Sequence, residues 1–200
     1  VLDGIVILCA VAGLSAAERQ IVAALTALDG APTQLEHLAA VVRPDAAAPI
    51  LRELTERGLL EQTPGNGYRL AGGVAPRLAE PDLAAWRDWW IDLYARWASF
   101  QKHANPALLL RDTDAIRALI CWAAAAGRHR DVIRLTRAIE AALTLDRQWR
   151  AWSEIVELTR GAAVAAGLPA AEAWALHQQG TRALLEGRTD EARAALQRAL

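Results

Sequence analysis

Apolar residues recur at helical spacing over residues 15 to 28, where Ile21, Val22, Leu25 and Leu28 share a face. Ser15 precedes them with Glu18 three positions on, the pattern of a capping box in which each side chain takes up a free amide at the helix start; Asp29-Gly30 closes the element. A second such pair, Thr33 with Glu36, predicts a short helix bearing Leu35, Leu38, Val41 and Val42, which Pro44 ends. Asp45 then caps a third helix carrying Ile50, Leu51 and Leu54. It stops at Gly58, and Pro49 falls in its first turn, where a missing amide costs little. Beyond Gly58 the period shortens. Leu59-Leu60-Glu61-Gln62, a turn at Pro64-Gly65-Asn66-Gly67 and Tyr68-Arg69-Leu70 predict a β-hairpin. The opening stretch, Val1 to Leu14, reads as one more short buried helix, or as a strand at Ile5-Val6-Ile7-Leu8.

Three short helices followed by a two-stranded hairpin have the layout of a winged helix, expected at about residues 15 to 71 within a domain of residues 1–80. Gly72-Gly73, Pro76 and Pro81 mark a junction, after which residues 81–200 are wholly helical in pattern. Asp82 opens a long helix with Trp86, Trp90, Leu93, Trp97 and Phe100 on one face. Further helices are expected near Thr113 to Ala126, His129 to Leu145, Arg147 to Ala166, Ala170 to Glu186 and from Thr189 on, with Gly127, Gly167 and Gly187 at helix ends. Such short connections favour antiparallel hairpins stacked side by side. Leu176, Gly180, Ala183 and Leu184, then Gly187, Ala192, Leu196 and Ala199, match the small and large positions of a tetratricopeptide repeat. Ile116, Leu119, Ala123, Gly127, Val132 and Ile139 match less well, and Gly127 and Gly187 lie 60 positions apart, not a multiple of the roughly 34-residue period. The fold class is therefore mainly α: a winged helix, then an irregular antiparallel array of tetratricopeptide-like helices, the start of a longer array in an excised piece of a larger chain.

Composition narrows the function. Residues 1–80 hold six arginines against nine carboxylates (−3), and residues 81–200 hold sixteen bases against fourteen acids (+2), so neither part carries the basic stripe that nucleic acid requires. The longest apolar runs, Ile5 to Ala12 and Ala118 to Ala126, fall short of the roughly 20 residues of a spanning helix, which points to a soluble protein with no membrane partner, and the two cysteines, expected reduced, point to the cytoplasm. Cys9 and Cys121 sit among apolar neighbours and are expected as reduced, buried thiols. Lys102 is the single lysine and follows no glycine loop, which removes a phosphate-binding loop. Ser15 in Gly13-Leu14-Ser15-Ala16-Ala17 is a cap rather than a nucleophile, and His37, His103, His129 and His177 are too scattered to hold a metal. The carboxylate pairs Asp88/Asp92, Asp112/Asp114 and Glu154/Glu157 each have arginines near enough to neutralise them. No catalytic residue, metal or cofactor is expected in this stretch. The eight tryptophans stand out. Trp86, Trp90 and Trp97 fit a core stripe, whereas Trp89, Trp149 and Trp152 are the candidates for a protein contact surface. The alternative, a DNA-binding regulator, would need Arg43, Arg52, Arg57 and Arg69 on a shared face clear of Glu53, Glu56 and Glu61.

Several stretches together resemble the STAND signalling ATPases, in which a nucleotide-binding module precedes a winged helix and tetratricopeptide-like repeats. They are Leu14-Ser15-Ala16-Ala17-Glu18-Arg19, Leu51-Arg52-Glu53-Leu54-Thr55-Glu56-Arg57-Gly58-Leu59-Leu60 with Tyr68-Arg69-Leu70, and Ala183-Leu184-Leu185-Glu186-Gly187-Arg188-Thr189-Asp190-Glu191-Ala192. Ala118-Leu119-Ile120-Cys121-Trp122-Ala123 and Trp149-Arg150-Ala151-Trp152 resemble the family's link between winged helix and repeats. The resemblance implies a non-catalytic regulatory segment: the winged helix docks on the nucleotide-binding domain of the same chain in its ADP state, and the repeats sense a protein or small-molecule signal. Many members place a histidine near the winged helix against the ADP phosphate; here Ala71-Gly72-Gly73 follows the second strand of the hairpin, so that contact is not implied.

Overall fold

The computed structural model describes residues 13–72, 74 and 80–200, with backbone only at 80 and 81; the element expected at Val1 to Leu14 and the thiol of Cys9 lie outside the described residues save Gly13 and Leu14. The protein is mainly helical, with one small three-stranded antiparallel sheet and a helical array. It forms two compact units, Val1–Leu93 and Tyr94–Leu200.

In the first unit the order is α1 (Ala16–Thr26), β1 (Thr33–Gln34), α2 (Leu35–Leu38), α3 (Pro44–Glu56), β2 (Leu60–Gln62) and β3 (Gly67–Leu70), followed by the start of α4 (Glu80–Ala104). The capping box of α1 is complete: the Ser15 N–H donates to Glu18 Oε2 at 2.6 Å, and the Glu18 N–H donates to Ser15 Oγ at 3.3 Å. Its apolar face, Ile21, Val22, Leu25 and Leu28, is buried, as are Leu38 of α2 and Leu51 and Leu54 of α3. Gly58, at φ +68°, lets α3 stop while the Leu59 N–H donates back to the Leu54 carbonyl at 2.9 Å.

The sheet runs β1-β3-β2, pairing Thr33 with Tyr68 and Leu60 with Leu70. Here the expected helix start at Thr33 is corrected: Thr33 and Gln34 are extended and pair with β3, so that Gln34 caps a helix of only four residues, and Val41 and Val42 lie beyond its end. Ladder pairing to the hairpin outweighs the local cap there. Close approach explains the register, since a Cβ on Gly67 would stand 3.1 to 3.3 Å from Thr63, Gln34 and Pro32. Two proline expectations also change. Pro44 opens α3 at its first position, with Arg43 rather than Asp45 as cap, and Pro49 sits at the sixth residue, inside the helix rather than in its first turn.

Helix α4 begins at Glu80 rather than Asp82. Within the first unit its Trp90 is fully buried, and the indole N–H donates to the Ala24 carbonyl at 2.8 Å. The expected stripe is rotated. Trp86, Leu93 and Trp97 are half-buried and Phe100 is 68% exposed, while Ile91, Tyr94, Ala95 and Ala98 are buried. At ~100° per residue the buried set centres roughly 70° round from Trp90, which puts Phe100 on nearly the opposite side.

The second unit continues from α4 through a 3-10 segment (Pro106–Asp112) into α5 (Thr113–Ala125), α6 (His129–Leu145), α7 (Trp149–Ala165), α8 (Pro169–Leu185) and α9 (Thr189–Arg198). From α5 to α9 consecutive helices pack as antiparallel neighbours, and α5 also meets α7. The array has a cadence of twenty: α6, α7 and α8 are 17 residues each and begin at 129, 149 and 169, with α9 at 189. The turns repeat the same geometry. Gly127, Arg147, Gly167 and Gly187 have φ between +57° and +76°. After each, an amide reaches back to the last helical turn: Arg128 to Ala123, Gln148 to Leu143, Leu168 to Ala163 and Arg188 to Ala183, at 2.8 to 2.9 Å. A helical hairpin thus takes forty residues. Its α8–α9 crossing is tight at Gly180, where a Cβ would lie 2.6 Å from Leu196 Cγ.

Candidate functional site

The first turn of α7 carries Trp149, Arg150 and Trp152, and the turn before it holds Arg147 in the left-handed region. Because α5, α7 and the end of α8 lie side by side, Arg117 and Arg182 come to the same place. Together with Arg147, Arg150, Trp149 and Glu154 they line an open crevice of about 880 Å³. Ser153 and Arg182 also border a smaller one of about 260 Å³, whose wall includes Trp152, Glu157, Gln178, Gln179 and Glu191.

The larger crevice is strongly basic. Arg117 pairs with Glu154, and with Asp114 at 3.6 Å; Arg182 approaches Glu186 at 4.0 Å. Arg147 and Arg150 are exposed and make no ion pair among the described residues. Three donors in the two walls are buried without an acceptor: Arg117 Nε, Arg182 Nε and the indole nitrogen of Trp152. A buried donor left unpaired costs roughly 1 to 3 kcal/mol. The smaller crevice ends on two carboxylates, each paired with an arginine. Glu157 is held below the ordinary carboxylate range by its hydrogen bond from Arg160, and it also accepts from Gln179; Glu191 pairs with Arg188. Guanidinium groups, amides and indoles of this kind bind and orient; the two linings contain no histidine or cysteine.

The sequence-derived candidates scatter. Trp149 lines the basic crevice half-buried, with its ring 5.7 Å from Trp152. Trp152 is only 1% exposed. Trp89 belongs to the first unit, edge-on to Trp86 at 5.8 Å and to Trp90 at 4.9 Å. Of the four arginines of the DNA alternative, Arg43 meets Asp45 at 3.2 Å, Arg57 meets the buried Glu18 at 2.7 Å, Arg69 meets Glu61 at 2.6 Å, and Arg52 is exposed. The outward residues of α3 include Asp45, Glu53 and Glu56 beside Arg52, so the structure surrounds those arginines with carboxylates. Cys121, expected buried, is exposed on α5, because its helix turns Leu119, Ile120 and Ala123 inward instead. Asp112 is buried and accepts from the Tyr94 hydroxyl at 2.9 Å, a structural role. His37 is buried, and among the described residues no group of three His, Cys, Asp or Glu could hold a metal ion.

Arg117, Arg147 and Arg182 escaped the sequence reading as a group, since they lie on three helices or turns far apart in the chain. The local signal was the Arg147-Gln148-Trp149-Arg150 run at a helix start. Comparison of the chain with protein-family models, curated proteins and solved structures returns no match.

Proposed function

We propose that this chain is a non-catalytic regulatory and protein-interaction segment of a STAND signalling ATPase, working in the cytoplasm. Its first unit is a winged helix that docks on the nucleotide-binding domain of the same polypeptide, and its tetratricopeptide-like array senses a ligand or partner. The order of elements supports the reading, because β1 and β2 both pair with β3 and α3 precedes the hairpin. Among the described residues no helix is long and apolar enough to cross a membrane.

The observation that carries the proposal is the outward side of α3. In a DNA-reading winged helix this element enters the major groove, where phosphates flank it, and its face must be basic. Here Asp45, Glu53 and Glu56 outnumber Arg52 on it, Arg43 is paired with Asp45, and Arg57 is turned to Glu18 and Glu53. An acidic helix face suits a basic protein surface. Coupling then follows from linkage: a signal that binds the array better in the undocked state shifts the equilibrium toward release of the ATPase by its differential affinity.

The test is a titration of the chain with the nucleotide-binding domain, with and without ADP, and with duplex DNA at low salt. Binding to the domain, strengthened by ADP and weakened about tenfold by E53R/E56R, is the expected result. Tight, salt-sensitive binding to DNA, or no binding to the domain, overturns the proposal.

A further inference from the structure

The two crevices of the second unit, which share Ser153 and Arg182, differ in charge. Four arginines line the α7 start; Arg117 is paired with Glu154 and Asp114 and Arg182 approaches Glu186, while Arg147 and Arg150 add positive charge beside the positive end of the α7 dipole. Arg147 and Arg150, exposed and unpaired among the described residues, are free to meet an anion. Past Ser153 and Arg182 the lining changes to amides, a buried indole N–H and the carboxylates of Glu157 and Glu191. A polyanion such as single-stranded nucleic acid would find no free positive charge at that end, where Glu157 is paired with Arg160 and Glu191 with Arg188. The lining instead matches a ligand with negative charge at one end and neutral hydrogen-bonding groups along the rest.

Backbone geometry points to the same place. Three of the four equivalent turns use glycine in the left-handed region, and the fourth uses Arg147 at φ +57°. An L-residue there is strained. Its side chain lines the basic crevice, whereas glycine would remove one of the two exposed arginines there that make no ion pair among the described residues.

We propose that this double crevice binds an extended acidic peptide segment of a partner protein. Arg147 and Arg150 hold its carboxylates, while Arg182 and the Trp152 indole N–H meet main-chain carbonyls beyond them. The inference deepens the reading of the array as the sensing part and rests on it.

Random short peptides displayed on phage are panned on the immobilised 200-residue chain. Those recovered are synthesised and titrated by fluorescence anisotropy against wild type, R147A/R150A and the charge-matched control R43A/R52A, each checked for folding by circular dichroism. Recovery of peptides enriched in Asp and Glu is expected, with affinity lower by about tenfold or more on R147A/R150A and unchanged on R43A/R52A. R182K, which keeps the charge and loses the Nε donor, should weaken binding severalfold. The inference is overturned if no peptide is recovered, if those recovered lack acidic residues, if R147A/R150A binds them as wild type does, or if a single-stranded oligonucleotide binds as tightly. Docking of the nucleotide-binding domain is measured on the same preparation. Peptide loss with docking intact removes the crevice alone, and docking loss with peptide binding intact removes only the reading of the first unit.

Discussion

Arg147 and Glu18 show how single residues hold this fold at a local cost. Arg147 occupies the turn position that Gly127, Gly167 and Gly187 fill elsewhere in the array. Since a side chain in that region costs roughly 1 kcal/mol, Arg147→Gly is expected to raise stability by about that amount in urea titrations, while weakening acidic-peptide binding. A melting temperature that falls would mean the Arg147 side chain makes a stabilising contact the backbone argument omits. Glu18 works the other way. Buried beside Arg57, its carboxyl is held below its ordinary value of about 4.5, first by the hydrogen bond with Ser15 and then by the arginines. A lowered folded-state pKa contributes stability above the unfolded value and loses it as pH falls through the folded one. Glu18→Gln should therefore lower stability by about 2 kcal/mol at pH 7, and its stability should decline less than that of wild type between pH 5 and pH 3. Parallel pH profiles for the two proteins would contradict the assignment.

At the level of elements, helix ends were legible where local chemistry marks them. The Ser15/Glu18 box at the start of α1 and Gly127, Gly167 and Gly187 after α5, α7 and α8 need no tertiary context. Thr33 was misleading for the converse reason. Its cap pattern is intact, but the strand partner that claims it, Tyr68, lies far along the chain. The twenty-residue cadence was hidden by one substitution, arginine where a glycine would have marked the turn at 147. The basic crevice was hidden by topology, since Arg117 and Arg182 meet Arg147 only after α5, α7 and α8 have packed. Two helix-interior glycines test the packing directly. Gly161, on the exposed side of α7, has nothing within 4 Å of a built Cβ, so Gly161→Ala should stabilise by roughly 0.5 to 1 kcal/mol through helix propensity alone. Gly180 faces Leu196 Cγ at 2.6 Å and the Ala192 carbonyl at 3.2 Å, and a backbone carbonyl cannot rotate away. Gly180→Ala should thus destabilise by about 1 to 3 kcal/mol despite the same propensity gain. Thermal denaturation of the pair decides it: equal shifts would mean that α8 and α9 do not cross closely.

Across the whole molecule, charge is divided by region: −3 over residues 1–80 and +2 over residues 81–200. Acidity lies on the outward side of α3, and unopposed positive charge lies around Arg147 and Arg150. A polyanion that approaches the chain is repelled where a winged helix would read DNA and attracted where the array turns into α7. This arrangement predicts that duplex DNA binds weakly at low salt, and that whatever binding is measured disappears with R147A/R150A and survives R43A/R52A. The salt slope carries the argument further, because it counts the phosphates neutralised. Two free arginines give a shallow slope of about −2, against about −6 or steeper for a dedicated DNA-binding domain. A steep slope that collapses on R43A/R52A would place DNA on α3 and the wing. The carboxylates of Asp45, Glu53 and Glu56 would then have to be outweighed by a rearrangement that frees Arg57 from Glu18 and Arg69 from Glu61. That rearrangement would leave the buried Glu18 carboxylate without Arg57, so Glu18→Gln, which removes the charge left behind, should then tighten DNA binding. A shallow slope that Glu18→Gln leaves unchanged removes α3 and the wing as a DNA site and leaves the array as the place where negative charge is received.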